Sequence, residues 1–204
     1  MNYGIARLLA LDAVEMCSAK DYIDWAIQEL EASAKEPSIA ILAGLNSMVT
    51  YFEAKEYFVQ VLYELEIKEY SDEEKLNQYI EFACKEILAD RIPYKEFLDF
   101  CREAQFDRKI GNLKYSISNF YLLSWAIQEL RAEDPSWSYY YEGLNTTFPE
   151  KSVKLECEIL LGISKPETSP RFQQTQRINE RSQTKQKEIG HIGLFSNLKK
   201  WIWK

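Results

Sequence analysis

The sequence predicts an all-α fold, a single multi-helix bundle of orthogonal or HEAT-like type, with a flexible C-terminal tail. Three observations predict it. Apolar residues return at three- and four-residue steps along most of the chain, with no comparable period-two run. Helix start signals precede those runs at regular intervals. Only 7 Gly and 6 Pro occur in 204 residues, and most sit where helices would begin or end.

The elements follow in order. The first helix, near 3–17, carries Leu8-Leu9-Ala10-Leu11, a run interrupted by Asp12 and Glu15 and therefore unlike a secretion signal. The second, 19–33, opens on Ser18 with Asp21 three residues on, a capping-box spacing, and continues as Ile23, Ala26, Ile27, Leu30. Helices at 38–45 and 50–67 follow, with Gly44 at the end of the shorter one. Ser71 and Glu74 repeat the capping-box spacing ahead of 72–89, where Leu76, Tyr79, Ile80, Ala83 and Ile87 share a face. Pro93 and Pro135 suit first turns of helices at 94–105 and 136–143. Between these, 113–132 shows Phe120, Leu123, Ile127, Leu130, and Thr147 with Glu150 marks the start of 148–162. Gly143 and Gly162 close the last two helices. The short connections imply that consecutive helices pack as neighbours.

Charge divides the chain further. Residues 1–164 hold 16 Lys/Arg against 29 Asp/Glu, a net −13, whereas 165–204 hold 9 against 3, a net +6. The expected organisation is an acidic helical domain over 1–164, a flexible polar linker over 165–190 and a basic amphipathic C-terminal helix over 191–204. An acidic body repels the phosphate backbone and attracts a basic protein surface, so the expected partner is a basic protein, and nucleic acid is not. Its candidate contact residues are the acids at helix starts and turns: Asp21, Asp24, Glu31, Asp72, Glu73 and Glu74. A second candidate is the aromatic cluster Trp137, Tyr139, Tyr140 and Tyr141, which either faces a partner or fills the core beside Trp125.

In the tail, Leu194, Phe195, Leu198, Trp201 and Ile202 fall on one helical stripe, flanked by Lys199, Lys200 and Lys204, with Trp203 beside it. Eleven residues are marginal as a free helix, so this segment orders on something. It is too short to span a bilayer, which leaves three readings: a peripheral anchor on an anionic membrane surface, a helix in a partner's groove, or a segment docking on the acidic body. The expected location is cytoplasmic, at the inner membrane face if the anchor reading holds.

Catalysis is not expected. The one histidine, His191, lies in the tail, so neither a nucleophile–His arrangement nor a His-rich metal site can be assembled in the body. No phosphate-cradling glycine loop or calcium loop occurs, and no cofactor is expected. Carboxylate pairs such as Glu29/Glu31, Glu64/Glu66 and Glu156/Glu158 are two apart, point away from each other on a helix, and read as solvated face. Cys17, Cys84, Cys101 and Cys157 show no C-x-x-C spacing and read as small buried hydrophobes.

One phrase recurs. Trp25-Ala26-Ile27-Gln28-Glu29-Leu30 is repeated at Trp125-Ala126-Ile127-Gln128-Glu129-Leu130, and each copy is followed by an acid-Pro-Ser and then a Gly-Leu-Asn, at 36–38 and 44–46 and at 134–136 and 143–145. This is either a pseudo-repeat of helical modules or a core stripe with common punctuation used twice. The Trp25-Ala26 to Leu30 phrase, with Pro37-Ser38 and Leu42-Ala43-Gly44-Leu45, resembles the N-terminal half of small bacterial all-helical proteins, some similar to immunity partners of polymorphic toxins. The resemblance covers roughly 5–162 and implies a cytoplasmic binding protein without catalysis. The basic aromatic tail departs from that pattern. A helical scaffold or adaptor, localised by the tail, is the alternative function.

Overall fold

The computed structural model describes residues 2–46, 48–104 and 117–170. Among them every regular element is helical: α1 Tyr3–Ala13, α2 Ala19–Glu31, α3 Pro37–Ala43, α4 Tyr51–Glu64, α5 Asp72–Leu88, α6 Tyr94–Ala104, α7 Ser118–Arg131, α8 Trp137–Tyr140 and α9 Pro149–Leu160, then a 3-10 turn at Pro166–Thr168. The chain divides into two compact units, Met1–Ser118 and Asn119–Lys204.

Helix starts are where the caps predict them, with one exception. Two of the three expected capping boxes form: Ser18 and Asp21 exchange hydrogen bonds at α2, and Ser71 and Glu74 do so at α5. At α9 the expected Thr147–Glu150 box is absent. The N-cap is Phe148, without a side-chain cap, and Pro149 takes the first helical position, where its missing N–H costs nothing. The Phe148 N–H is instead donated to Asn145 Oδ1 at 2.8 Å.

Helix ends follow one pattern that the sequence hides. After α1, α2, α4, α5, α7 and α9 the chain steps into the left-handed region, at Glu15, Ser33, Glu66, Asp90, Glu133 and Gly162. Each time the following N–H reaches back to the carbonyl five residues earlier, as Met16 N–H to Leu11 at 2.8 Å and Ile67 N–H to Leu62 at 2.9 Å. These are Schellman closures, and five of the six use a residue that pays for its Cβ.

In the first unit α1 is the interior helix. Ile5, Ala6, Leu8, Leu9, Ala10 and Leu11 are all buried, more of its circumference than one stripe, so it packs on several neighbours. Its most extensive contact is with α5, and it also touches α2. Ile5, Leu8 and Leu9 join Tyr22, Trp25, Ile39, Leu42, Phe58 and Val61 in one core that binds α1 to the α2–α3–α4 group. Trp25 stands edge-on to Phe58, ring centroids 5.4 Å apart. A second aromatic set centres on Tyr79, with Phe100 at 4.7 Å and Tyr3 at 5.8 Å. Gly4 lets this packing close: a Cβ there would stand 2.8 Å from the Trp25 indole.

The second unit is built from α7, α8 and α9. Phe120, Leu123, Ala126 and Ile127 of α7, Tyr141, Leu144, and Val153 and Cys157 of α9 are buried. The repeated phrase therefore has two packings. Trp25 is buried and Ile27 exposed in the first copy, whereas Trp125 is half-buried, stacked on Tyr140 at 6.2 Å, and Ile127 is buried. Both Gly-Leu-Asn segments nonetheless end in an asparagine turn, Asn46 accepting from Met48 N–H and Asn145 from Phe148 N–H.

Candidate interaction surface

Two acids organise the units, Asp12 largely enclosed and Glu156 buried, and neither announced itself as such in the sequence. In the first unit Asp12, on α1, is enclosed with its side chain only 9 % exposed. It accepts hydrogen bonds from the Tyr22 hydroxyl of α2 at 3.1 Å, the Tyr51 hydroxyl of α4, and Lys55 Nζ of α4 at 2.9 Å, and Lys75 Nζ of α5 lies 4.0 Å away. Burial alone would push this carboxyl up, but the hydrogen bonds from Lys55 and Tyr51 outweigh it and hold its pKa below the ordinary value. Burial likewise works against the Lys55 ammonium, and its bonds to Asp12 and Tyr51 reverse the sign and raise its pKa. Burial first, and then the charges of neighbouring groups, raise Tyr22. The centre is thus fixed as carboxylate, ammonium and neutral hydroxyls, a clamp on four helices with no group poised to exchange a proton near neutrality.

In the second unit Glu156 of α9 is buried, which corrects its expected place on a solvated face. It accepts from Asn119 Nδ2 of α7 at 2.8 Å, Tyr141 Oη at 2.5 Å and Ser169 Oγ at 2.5 Å. The first residues of the stretch expected as linker, 165–170, are thereby part of this unit, and Pro170 lies where a Cβ on Gly143 would stand, 2.7 Å away.

The expected contact acids are mostly occupied locally. Asp21 and Glu74 serve as capping-box acids, Asp24 pairs with Lys20, and Asp72 pairs with Lys75 at 2.8 Å. The two bonds from Ser71 lower the pKa of Glu74. Glu31 and Glu73 are exposed. In the aromatic cluster Tyr141 is buried on Glu156, Tyr140 stacks on Trp125, Trp137 is half-buried, and Tyr139 alone projects, 82 % exposed. The tail residues Leu194 to Lys204, and His191, lie outside the described residues. All four cysteines are free; Cys84, Cys101 and Cys157 are buried, and burial pushes the half-buried Cys17 thiol up to about 12.

The outer face of α4 escaped sequence reasoning. Ala54, Phe58 and Val61 turn inward. On the opposite side Phe52, Val59 and Tyr63 are 74, 53 and 85 % exposed. With Glu56 they fall within a stripe of about 60° at 3.6 residues per turn. Glu53 and Glu56 edge the stripe, exposed and without a salt-bridge partner among the described residues. The one cation of this helix, Lys55, is paired with Asp12 at 2.7 Å, its side chain still 39 % exposed. The clamp therefore shapes the surface: it ties up the one positive charge of the helix and leaves an apolar stripe bordered by carboxylates.

Among the described residues no group of three or more His, Cys, Asp or Glu is placed to hold a metal ion, and no helix is long and apolar enough to cross a membrane. A cleft of about 390 Å³ lies by α6 in the first unit, lined by Arg7, Tyr79, Lys95, Glu96 and Asp99 among others, but Arg7 is closed onto Glu96 at 2.6 Å. Comparison of the chain with family models, with curated proteins and with solved structures finds no match.

Proposed function

We propose that the chain is a non-catalytic protein-binding protein whose acidic helical body docks a basic partner. The observation that carries the reading is the outer face of α4. Scaled by their exposure, Phe52, Val59 and Tyr63 offer on the order of 400 Å² of largely apolar surface, about the size of the largest patch on an ordinary monomer, which is often a functional one. Unpaired Glu53 and Glu56 select for a partner that combines apolar anchors with Lys or Arg. An immunity factor covering the basic substrate-binding residues of a toxin would use such a surface. In this reading the clamp at Asp12 is structural and Tyr139 is a peripheral contact at most.

The test is affinity capture of the tagged full chain from its native cells, beside a Phe52→Asp, Tyr63→Asp variant whose circular dichroism matches the parent. A stoichiometric basic protein retained by the parent and lost from the variant supports the reading; equal retention by both defeats it. A second reading, an adaptor localised at an anionic membrane surface, draws on Lys199, Lys200 and Lys204 beside the apolar tail stripe. Its test is co-flotation of the full chain with vesicles containing phosphatidylglycerol, which a Lys199→Glu, Lys200→Glu variant must lose.

A further inference from the structure

The cleft beside α6 is built within the first unit, by Arg7 and Leu11 of α1, Tyr79 of α5, and Lys95, Glu96 and Phe100 of α6 among others. Its volume of about 390 Å³ falls in the range of small-molecule sites, about 300–1,000 Å³. Tyr79 is fully buried, and its hydroxyl has no hydrogen-bond partner. The Tyr3 hydroxyl is close enough to act on it but is not in hydrogen-bonding geometry. Burial, and after it the neighbouring Tyr3, Cys101 and Glu96, hold the Tyr79 pKa well above its ordinary value, so the hydroxyl stays neutral and can donate. Buried hydroxyls are ordinarily paired, and one left over on the wall of a cleft points to a ligand atom that completes it. We propose that this cleft binds a free α-amino acid with an apolar side chain, its carboxylate on Arg7 and the Tyr79 hydroxyl, its ammonium on Glu96 and its side chain against Leu11 and Phe100. The site shares no residue with the outer face of α4.

The charges of the cleft select the zwitterion. Arg7 Nε and Glu96 Oε1 pair at 2.6 Å, both side chains partly open to solvent. Glu96 acts on both tyrosine hydroxyls and Arg7 on that of Tyr3, so a ligand that reaches the Tyr79 hydroxyl touches this pair. A simple anion that takes Arg7 strands Glu96, and a simple cation that takes Glu96 strands Arg7. A zwitterion exchanges one ion pair for two and adds the bond that the Tyr79 hydroxyl lacks. The other close charges are already engaged, since Asp99 is held by Lys95 at 3.6 Å and by Arg102 at 3.1 Å. Glu103, a turn beyond Asp99 on the same face of α6, adds to the attraction for an ammonium group. Leu11 and Phe100, both buried, offer the apolar wall that distinguishes such a side chain from a polar one.

Isothermal titration calorimetry of the full chain with L-phenylalanine and L-leucine tests the proposal, and at least one of them should bind saturably. The amide of the amino acid that binds keeps only the cation, and its deamino analogue keeps only the anion. Each should bind about tenfold or more weakly, because each forfeits a charged hydrogen bond. Tyr79→Phe removes a hydroxyl that has no partner in the free chain, so unfolding in urea should be unchanged or shifted to higher concentration while the amino acid binds several-fold more weakly. Arg7→Gln, with circular dichroism matching the parent, should lose saturable binding. The proposal is overturned by absence of saturable binding of both amino acids at millimolar concentration, or by an amide or deamino analogue that binds as tightly as the amino acid. A Tyr79→Phe chain that is less stable than the parent, or that binds equally well, overturns it too, as does an Arg7→Gln chain that still binds.

Discussion

Replacing Asp12 by Ala tests whether the carboxylate clamp holds the first unit together. The substitution strands the Tyr22 hydroxyl inside the core and removes the counter-charge of Lys55, while Lys75 keeps its pair with Asp72. An orphaned buried hydroxyl costs about 1–3 kcal/mol. Breaking a fully buried ion pair costs about 3–5 kcal/mol, but Lys55 is 39 % exposed and can turn to solvent, so its share is well below that range. Together these give a loss of roughly 2–4 kcal/mol, a large part of the 5–15 kcal/mol that ordinary domains possess. Asp12→Asn, which keeps an acceptor for the tyrosines, should lose about half as much. Because the chain has two compact units, the loss should be read by hydrogen exchange on peptides from α1 and α4, which isolates the first unit. The folded-state pKa of Asp12 lies below its unfolded value near 3.9, so the unfolded state binds the extra proton as the solution is acidified. The stability Asp12 contributes is present above that value and is lost as pH falls through the depressed folded pKa. The gap between parent and Asp12→Ala should therefore be constant from pH 7 to about 5 and shrink below about 4. A gap under about 0.5 kcal/mol at neutral pH, or one that does not change on acidification, would refute the clamp.

The left-handed helix ends predict stabilising changes. Glu66→Gly or Ser33→Gly should raise stability by about 0.5–1 kcal/mol in urea titrations, because φ values of 53° and 75° penalise a Cβ, while Glu66→Val should lower it. Gly143→Ala and Gly162→Ala both place a Cβ at positive φ, but only the former meets Pro170. The Gly162 variant should lose about 1 kcal/mol and the Gly143 variant distinctly more; equal thermal shifts would argue against the packing of Pro170 on Gly143. Tyr141→Phe removes a bond to the buried Glu156 carboxylate and should cost about 1.5–3 kcal/mol in denaturant titrations, whereas Tyr139→Ala, at an exposed position, should stay within about 0.5 kcal/mol of the parent.

Much of the helical architecture was legible before any coordinates, because its determinants are local. The step of three and four in Leu76, Tyr79, Ile80 and Ala83, and the Ser18/Asp21 and Ser71/Glu74 spacings, act within one or two turns, and those helices form with those caps. Local rules failed where a competing residue stood nearby: Pro149 displaced the Thr147 cap, and Glu or Asp, not Gly, takes the left-handed position at four of the six helix ends that close this way. Identical letters also carried no environment. Ile27 is exposed and Ile127 buried, because burial depends on which neighbours a helix meets.

What the sequence by itself determined is the all-helical class, most helix limits within a few residues, and the opposed charge of body and tail. What only the tertiary structure decided is which charges and apolar groups remain available. Asp12 and Glu156 look like ordinary surface acids in the chain, yet long-range partners, Tyr51 and Lys55 in one case and Asn119, Tyr141 and Ser169 in the other, take them out of water. The same packing leaves Phe52, Val59 and Tyr63 outside with Glu53 and Glu56. Helix periodicity is a property of neighbours in sequence. The pairing of a buried charge, and hence the surface it leaves behind, is a property of neighbours in space.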